Sequence, residues 1–285
     1  MNKITLLLLL CFSFCLCTHY RWTSDAKDAL NNAVSTPAAN RSLTCASLYA
    51  SVEHRPIYEC HDISAVDTNI TIMVVGGIHG NEPLGRELVL SVLQDAAWRA
   101  ALPAVHIVWV PDMNPDGFFH ARRENDQGVD LNRAFPDHCD GTFPDKNIPE
   151  VNGMMTMLQD VHPNLLLMFH GGARVVVWGA DESCDDTNAA MPTPLEPAAE
   201  VFAITCASAY AAHDVNKTIE GSAWYPIRGS MQDYAYYNKL TRAGMVVEMG
   251  PKQPTPEDGA TLLASHKTSL GAWISAMTQL LQLQV

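Results

Sequence analysis

Basic residues are scarce in this chain. Its 285 residues include 18 Lys plus Arg against 31 Asp plus Glu, a formal net charge of −13. Nucleic acid recruits lysine and arginine to its phosphates, so this balance argues against such a partner. It would instead help draw cationic peptides toward an acidic cleft, an effect that salt weakens. Long apolar runs are lacking too. The stretch over residues 4–17, preceded by Met1-Asn2-Lys3, is too short to span a bilayer comfortably and reads as a signal peptide, which predicts secretion and no stable membrane span. Internal repeats and long low-complexity segments are absent. With 47% hydrophobic and 17% charged residues, the composition suits one soluble enzyme rather than an assembly of modules, and the length is ample for one core.

What is present is an alternation of two periodicities. Strand-like runs at 70–76, 105–110, 165–169, 175–178 and 245–247 alternate with helical ones near 82–100, 149–159, 196–212 and 259–283. That pattern predicts an α/β fold with a mixed, mainly buried β-sheet flanked by helices. Reactive residues fall at strand ends and in loops, where such sheets place their clefts.

His79-Gly80-Asn81-Glu82 follows the first of these runs and precedes a helix, which puts an imidazole and a carboxylate three residues apart at a strand's exit. His170 closes another apolar run and is followed by Gly171 and Gly172. Two nitrogens and one carboxylate leave one position open on a zinc ion. An open His2Glu site is of the catalytic kind, since the metal must hold and acidify a water beside a carbonyl. The chain reads first as a zinc hydrolase.

HxxE alone is common by chance, but further motifs follow in order. They are Asn114-Pro115-Asp116-Gly117, then Arg123, the run from Gly128 through Asp130-Leu131-Asn132-Arg133 to Pro136, then Trp224-Tyr225, the stretch Gly229-Ser230-Met231-Gln232-Asp233-Tyr234, and Glu248. In these the chain closely resembles the zinc metallocarboxypeptidases of family M14, within it the regulatory branch that includes carboxypeptidases N, E, M and D. The resemblance spans about residues 42 to 283 and implies a single zinc-carboxypeptidase-like domain. It divides the chain into a signal peptide at 1–17, an N-terminal segment at 18–41 and a catalytic domain at 42–285.

The chemistry of removing a terminal residue asks for these residue types. A free carboxylate is held bidentately by a planar guanidinium with a neighbouring amide, which Asn132 and Arg133 supply. Negative charge that builds on the scissile oxygen needs a cation aimed at it, and Arg123 fits. A base must take the proton of the attacking water and return it to the leaving amine. Glu248, inside the largely apolar run 245–250, is the candidate. Residue by residue, the resemblance implies one zinc ion on His79, Glu82 and His170, and the same roles for Asn132, Arg133, Arg123 and Glu248. It further implies Tyr225 as a mobile tyrosine closing over substrate and Asp130 as a carboxylate orienting the first zinc histidine.

Asp181, eleven residues after His170, matches the aspartate that the regulatory branch places in the pocket for the departing side chain. A partly buried carboxylate there selects a cationic side chain, because an apolar one would leave the charge desolvated and unpaired. Peptides or proteins ending in Lys or Arg are the implied partners, with Gln232 lining the same pocket.

Cleavage near residue 17 leaves five cysteines, Cys45, Cys60, Cys139, Cys184 and Cys206, an odd number. Cys45 and Cys60 flank a hairpin-like stretch at 51–56 and could oppose each other across strands; Cys139 and Cys184 fall in loops. Sequons begin at Asn40, Asn69 and Asn216. Regulatory relatives commonly carry a β-sandwich after the catalytic domain and digestive ones a long inhibitory propeptide; the expectation here is a catalytic domain with neither. Rival readings are an N-acyl-amino-acid zinc hydrolase, a murein-peptide carboxypeptidase and an inactive peptide-binding homologue. The filled catalytic positions weigh against the last.

Overall fold

A computed structural model describes residues 26–138, 141–143, 147–179, 197–214, 218–225 and 227–283. The strands are β1 (Arg41–Ala50), β2 (Pro56–Ser64), β3 (Thr71–Val75), β4 (His106–Val110), β5 (Leu165–His170), β6 (Arg174–Trp178), β7 (Thr218–Glu220) and β8 (Ala243–Met249). The helices are α1 (Ala26–Ser35), α2 (Pro83–Gln94), α3 (Ala96–Ala100), α4 (Pro115–Phe119), α5 (Pro149–Val161), α6 (Pro197–Asp214), α7 (Gly221–Trp224), α8 (Met231–Tyr237) and α9 (Pro256–Gln282). One eight-stranded sheet runs in the order β1-β2-β4-β3-β5-β8-β6-β7. Its centre, β4-β3-β5-β8, is parallel, while β1, β2 and the β6–β8 pair are antiparallel.

The central strands are buried on both faces, which is why their sequences are near-continuous apolar runs rather than alternating ones. Side chains still alternate between two layers. Ile72, Val74, Leu165, Leu167, Phe169, Met245 and Val247 pack with α1, α2, α6 and α9. Met73, Val75, Leu166, Met168 and Val246 face the other way, onto α5, α8 and Phe135. The result is a three-layer sandwich, the mixed α/β architecture that the sequence predicts.

One expectation needs adjusting and another is met. The helical stretch at 82–100 is two helices, because Asp95 interrupts it and its side chain accepts the Trp98 amide to cap α3. The hairpin flanked by Cys45 and Cys60 is a full strand pair, β1 with β2, in which the two residues are directly opposed and joined by a disulfide. Cys206 is free and buried, and Cys139 and Cys184 lie outside the described residues. No helix among the described residues is long and apolar enough to cross a membrane.

Candidate metal centre and cleft

The chain passes from β3 through α2 to β4 on one side, and later returns as β5 on the other. A crevice therefore opens at the carboxyl ends of β3 and β5, the usual ligand position of such sheets. His79 lies on the turn after β3. His170 is the last residue of β5 and pairs in register with Glu248 on β8. Alternation then sends His170 and Glu248 to the face opposite Phe169 and Val247, side by side.

Glu82 precedes α2, with Pro83 at the first helical position, and its side chain does not cap the helix. It turns toward the histidines instead. Glu82 Oε2 is 2.9 Å from His79 Nδ1, 3.4 Å from His170 Nδ1 and accepts the Gly171 amide at 3.0 Å. One donor atom from each of the three residues lies within 4.8 Å of the others, and all three residues are buried. Two imidazole nitrogens and a carboxylate oxygen at this spacing fit a zinc ion with an open position. His79 gives its other nitrogen to Asp130, Nε2 to Oδ1 at 3.1 Å, which fixes the ring and leaves Nδ1 facing Glu82.

Arg123 ties the group together. Its Nε donates to Asp130 Oδ2 at 2.9 Å, and Nη1 is 3.2 Å from both His79 Nδ1 and Glu82 Oε1. Lys252 Nζ approaches Glu82 Oε1 at 3.6 Å. Burial pushes the Glu82 carboxyl up, but the hydrogen bonds from His170 and His79 outweigh it and hold Glu82 far below the usual carboxylate range. Asp130 is likewise held low against burial by His79 and Arg123. Burial lowers His170, which favours the unprotonated imidazole a metal needs. Glu248 goes the opposite way: burial, then the Glu82 carboxylate, push it up to about 7.

These groups share a cleft of about 220 Å3, into which Arg123, Asn132, Arg133, Tyr225, Glu248 and Lys252 also open. Asn132 and Arg133 sit on a 3-10 turn, Leu131–Arg133, capped by the Asp130 side chain, so the carboxylate that holds His79 also sets this turn. Asn132 Oδ1 accepts the Met231 amide at 3.1 Å. Tyr225 is 42% exposed at the rim, its ring against Trp224. One wall is apolar, made of Val177, Trp224, Ile227 and Val246.

One candidate is not among the residues that line the cleft. Gln232 is fully buried on α8 and donates its amide to the Gly179 carbonyl. Asp181 lies outside the described residues. Sequence reasoning did not single out Lys252 as a cleft residue; its position four residues after Glu248, on the turn that leaves β8, was the available signal. Among the histidines without a motif, His61 bonds Glu59 and His106, and His266 bonds Tyr210 and the Met249 carbonyl.

Comparison with known proteins gives the family. The chain is 33% identical over 177 residues to carboxypeptidase SOL1 of Arabidopsis thaliana, covering 57% of this chain and 36% of that protein. It is 32% identical over 197 residues to carboxypeptidase M of Mus musculus, covering 57% and 43%. The chain thus spans less than half the length of these relatives. Bovine thrombin-activatable fibrinolysis inhibitor, solved with tick carboxypeptidase inhibitor, has the same fold, with a TM-score of 0.73 at 15% identity over 92% of this chain and 99% of that one. The zinc carboxypeptidase profile, peptidase M14, matches residues 37–265. The chain therefore belongs to the zinc carboxypeptidase family, and its buried His2Glu group suits that family's metal.

Proposed function

We propose that this protein is a zinc metallocarboxypeptidase that hydrolyses the C-terminal peptide bond of peptides or proteins. The observation that carries the reading is one cleft holding a His2Glu group, a buried carboxylate and a set of cations. When bound to His79, Glu82 and His170, zinc supplies Lewis acidity at the scissile carbonyl and acidifies water. Glu248 takes the proton of the attacking water and passes it to the leaving amine. Its raised affinity for a proton suits both halves of that task. The Arg123 guanidinium faces the oxygen on which negative charge develops. Asn132 and Arg133 bind the free carboxylate of the terminal residue, and Tyr225 closes over it from the rim. Asp130 orients His79 and Arg123 at once.

The departing residue is Lys or Arg, selected by Asp181. Val177 and Val246, paired in register on adjacent strands, offer an apolar wall for the aliphatic stem of such a side chain. The same wall is the observation that favours a second reading, release of a large apolar residue. Secretion after cleavage near residue 17 completes the proposal. A Cys45–Cys60 disulfide suits an oxidising compartment, and the exposed sequon residue Asn69 is open to glycosylation.

The test is an assay of the purified protein on matched peptides ending in Arg, Lys, Phe or Glu, plus an N-acyl amino acid, with and without a zinc chelator. Chelator-sensitive release of Arg or Lys, lost on Asp181→Ala, is the expected result. Release of Phe alone keeps the mechanism and removes Asp181 as selector. Cleavage of none of them contradicts the proposal and brings the murein-peptide and binding-protein readings forward.

A further inference from the structure

Behind the cleft lies a buried amide to which the catalytic reading gives no task. Asn114 precedes α4, and its fully buried side chain bonds to three separate segments. Oδ1 accepts the Gly117 amide at 2.9 Å and so caps α4. Nδ2 donates to the Ile78 carbonyl at 3.2 Å, one residue before His79, and to the Arg123 carbonyl, also at 3.2 Å. The Asn114 main-chain amide adds a bond to the Gly77 carbonyl at 2.9 Å. A single side chain thus joins the turn bearing His79 and Glu82 to the backbone of Arg123.

The contact has no slack. A Cβ on Gly80 would lie 1.8 Å from the Gly117 carbonyl carbon, and one on Gly117 would lie 2.5 Å from Asn114 Nδ2. The metal turn therefore rests directly on α4, and wherever α4 sits the turn must follow. The helix is anchored in turn. Asp116, fully buried, accepts from Ser51 Oγ at 2.7 Å, the Glu53 amide at 3.0 Å and Arg55 at 2.6 Å, all on the turn between β1 and β2.

We propose that Asn114 is a positioning residue that sets the distance between the His79–Glu82 turn and Arg123. Only a carboxamide matches the surroundings, since one end faces a donor and the other faces two acceptors. Aspartate would keep the Gly117 bond but aim an oxygen at two carbonyl oxygens. Serine would keep an acceptor near the cap, but its shorter side chain with a single O–H cannot serve both carbonyls. The part of this inference that concerns Arg123 rests on the role proposed for it above; the part that concerns the metal turn does not.

Asn114→Ser and Asn114→Asp test it, with zinc release to a chelator followed beside kcat, KM and thermal melting. Removing an outer support of a metal site typically costs about 10- to 100-fold. Asn114→Ser is expected to bind one zinc but release it about tenfold faster or more, with a similar fall in kcat, KM changed less than about twofold, and a larger effect for Asn114→Asp. Unchanged zinc release and kcat, even with a lower melting temperature, would overturn the proposal by leaving Asn114 a merely structural cap. Should the variants fail to fold, hydrogen exchange on the unmodified protein decides. Zinc should protect the amides of the segment 114–125 as well as those of the metal turn, and protection confined to the turn contradicts the coupling. Faster zinc release in a protein that cleaves no peptide would overturn the proposed activity and leave the positioning of the metal turn standing.

Discussion

Replacing Asp130 should weaken zinc binding although Asp130 is not a ligand. Its carboxylate receives His79 Nε2 at 3.1 Å, Arg123 Nε at 2.9 Å and the Asn132 amide at 3.0 Å. The first bond keeps the His79 proton on Nε2 and leaves Nδ1 free for the metal. Asp130→Ala removes that control and releases Arg123 toward Glu82. Loss of such a partner costs about 10- to 100-fold in metal affinity, or about 1.4 to 2.7 kcal/mol at 1.36 kcal/mol per decade. A hydrogen bond to a charged group is worth about 1.5 to 3 kcal/mol, so two routes converge near 2 kcal/mol. Asp130→Asn retains an acceptor for His79 but not the charge, and should lose less than about tenfold. Competition with a chromogenic zinc chelator measures both variants. The added thermal stability conferred by excess zinc should shrink in the same order, since it follows the affinity. An Asp130→Ala protein that binds zinc within about twofold of the unmodified one would refute the argument, because the tautomer would then be fixed by something else.

Three further outcomes follow from the same geometry. Glu248→Gln should keep its zinc and lose nearly all turnover, and full activity in that variant would remove Glu248 from the mechanism. Because a base acts when ionised and burial pushes Glu248 up to about 7, kcat/KM should rise with pH through an acidic limb. A bound zinc cation draws that limb down to pH 7 or below, and a profile flat on the acid side would contradict the assignment. Removing the Cys45–Cys60 disulfide, whose partners are 15 residues apart, should cost about 3 kcal/mol of stability by loop closure. Denaturant unfolding of the doubly substituted Cys45→Ala, Cys60→Ala protein under non-reducing conditions would show no loss if that estimate is wrong.

The buried centre of the fold was legible because its strands lie under helices on both faces. Short runs such as Leu165-Leu166-Leu167-Met168-Phe169 suit a sheet covered on both faces. Strands β1 and β2 were harder to read. Arg41–Ala50 mixes serine, threonine and alanine with few large apolar residues, as befits an antiparallel edge with one wet face, and only the turn and the two cysteines gave a signal. The break at Asp95 was visible in principle, since a short acidic residue before Ala-Ala-Trp is a capping pattern, but helical periodicity on both sides masked it.

For the site, residue types told more than spacing. His79, Glu82 and His170 converge from the ends of two strands that are adjacent in the sheet, and the Gly171 amide bonds Glu82 across 89 residues of chain, a contact no local pattern contains. Gln232 donates its amide to the Gly179 carbonyl, two residues before Asp181, a contact its motif alone does not reveal. The part of Asn114 was hidden for a related reason. The sequence shows a turn former before proline, and the two carbonyls it joins come from segments far from it in sequence or conformation.

Zinc content measured on the purified protein and on its His170→Ala variant tests the central claim most directly, with turnover of a peptide ending in Arg followed in the same samples. One zinc per chain in the unmodified protein, with neither zinc nor turnover in the variant, is the predicted result. A variant that retains one zinc and full turnover would contradict the His79, Glu82 and His170 centre.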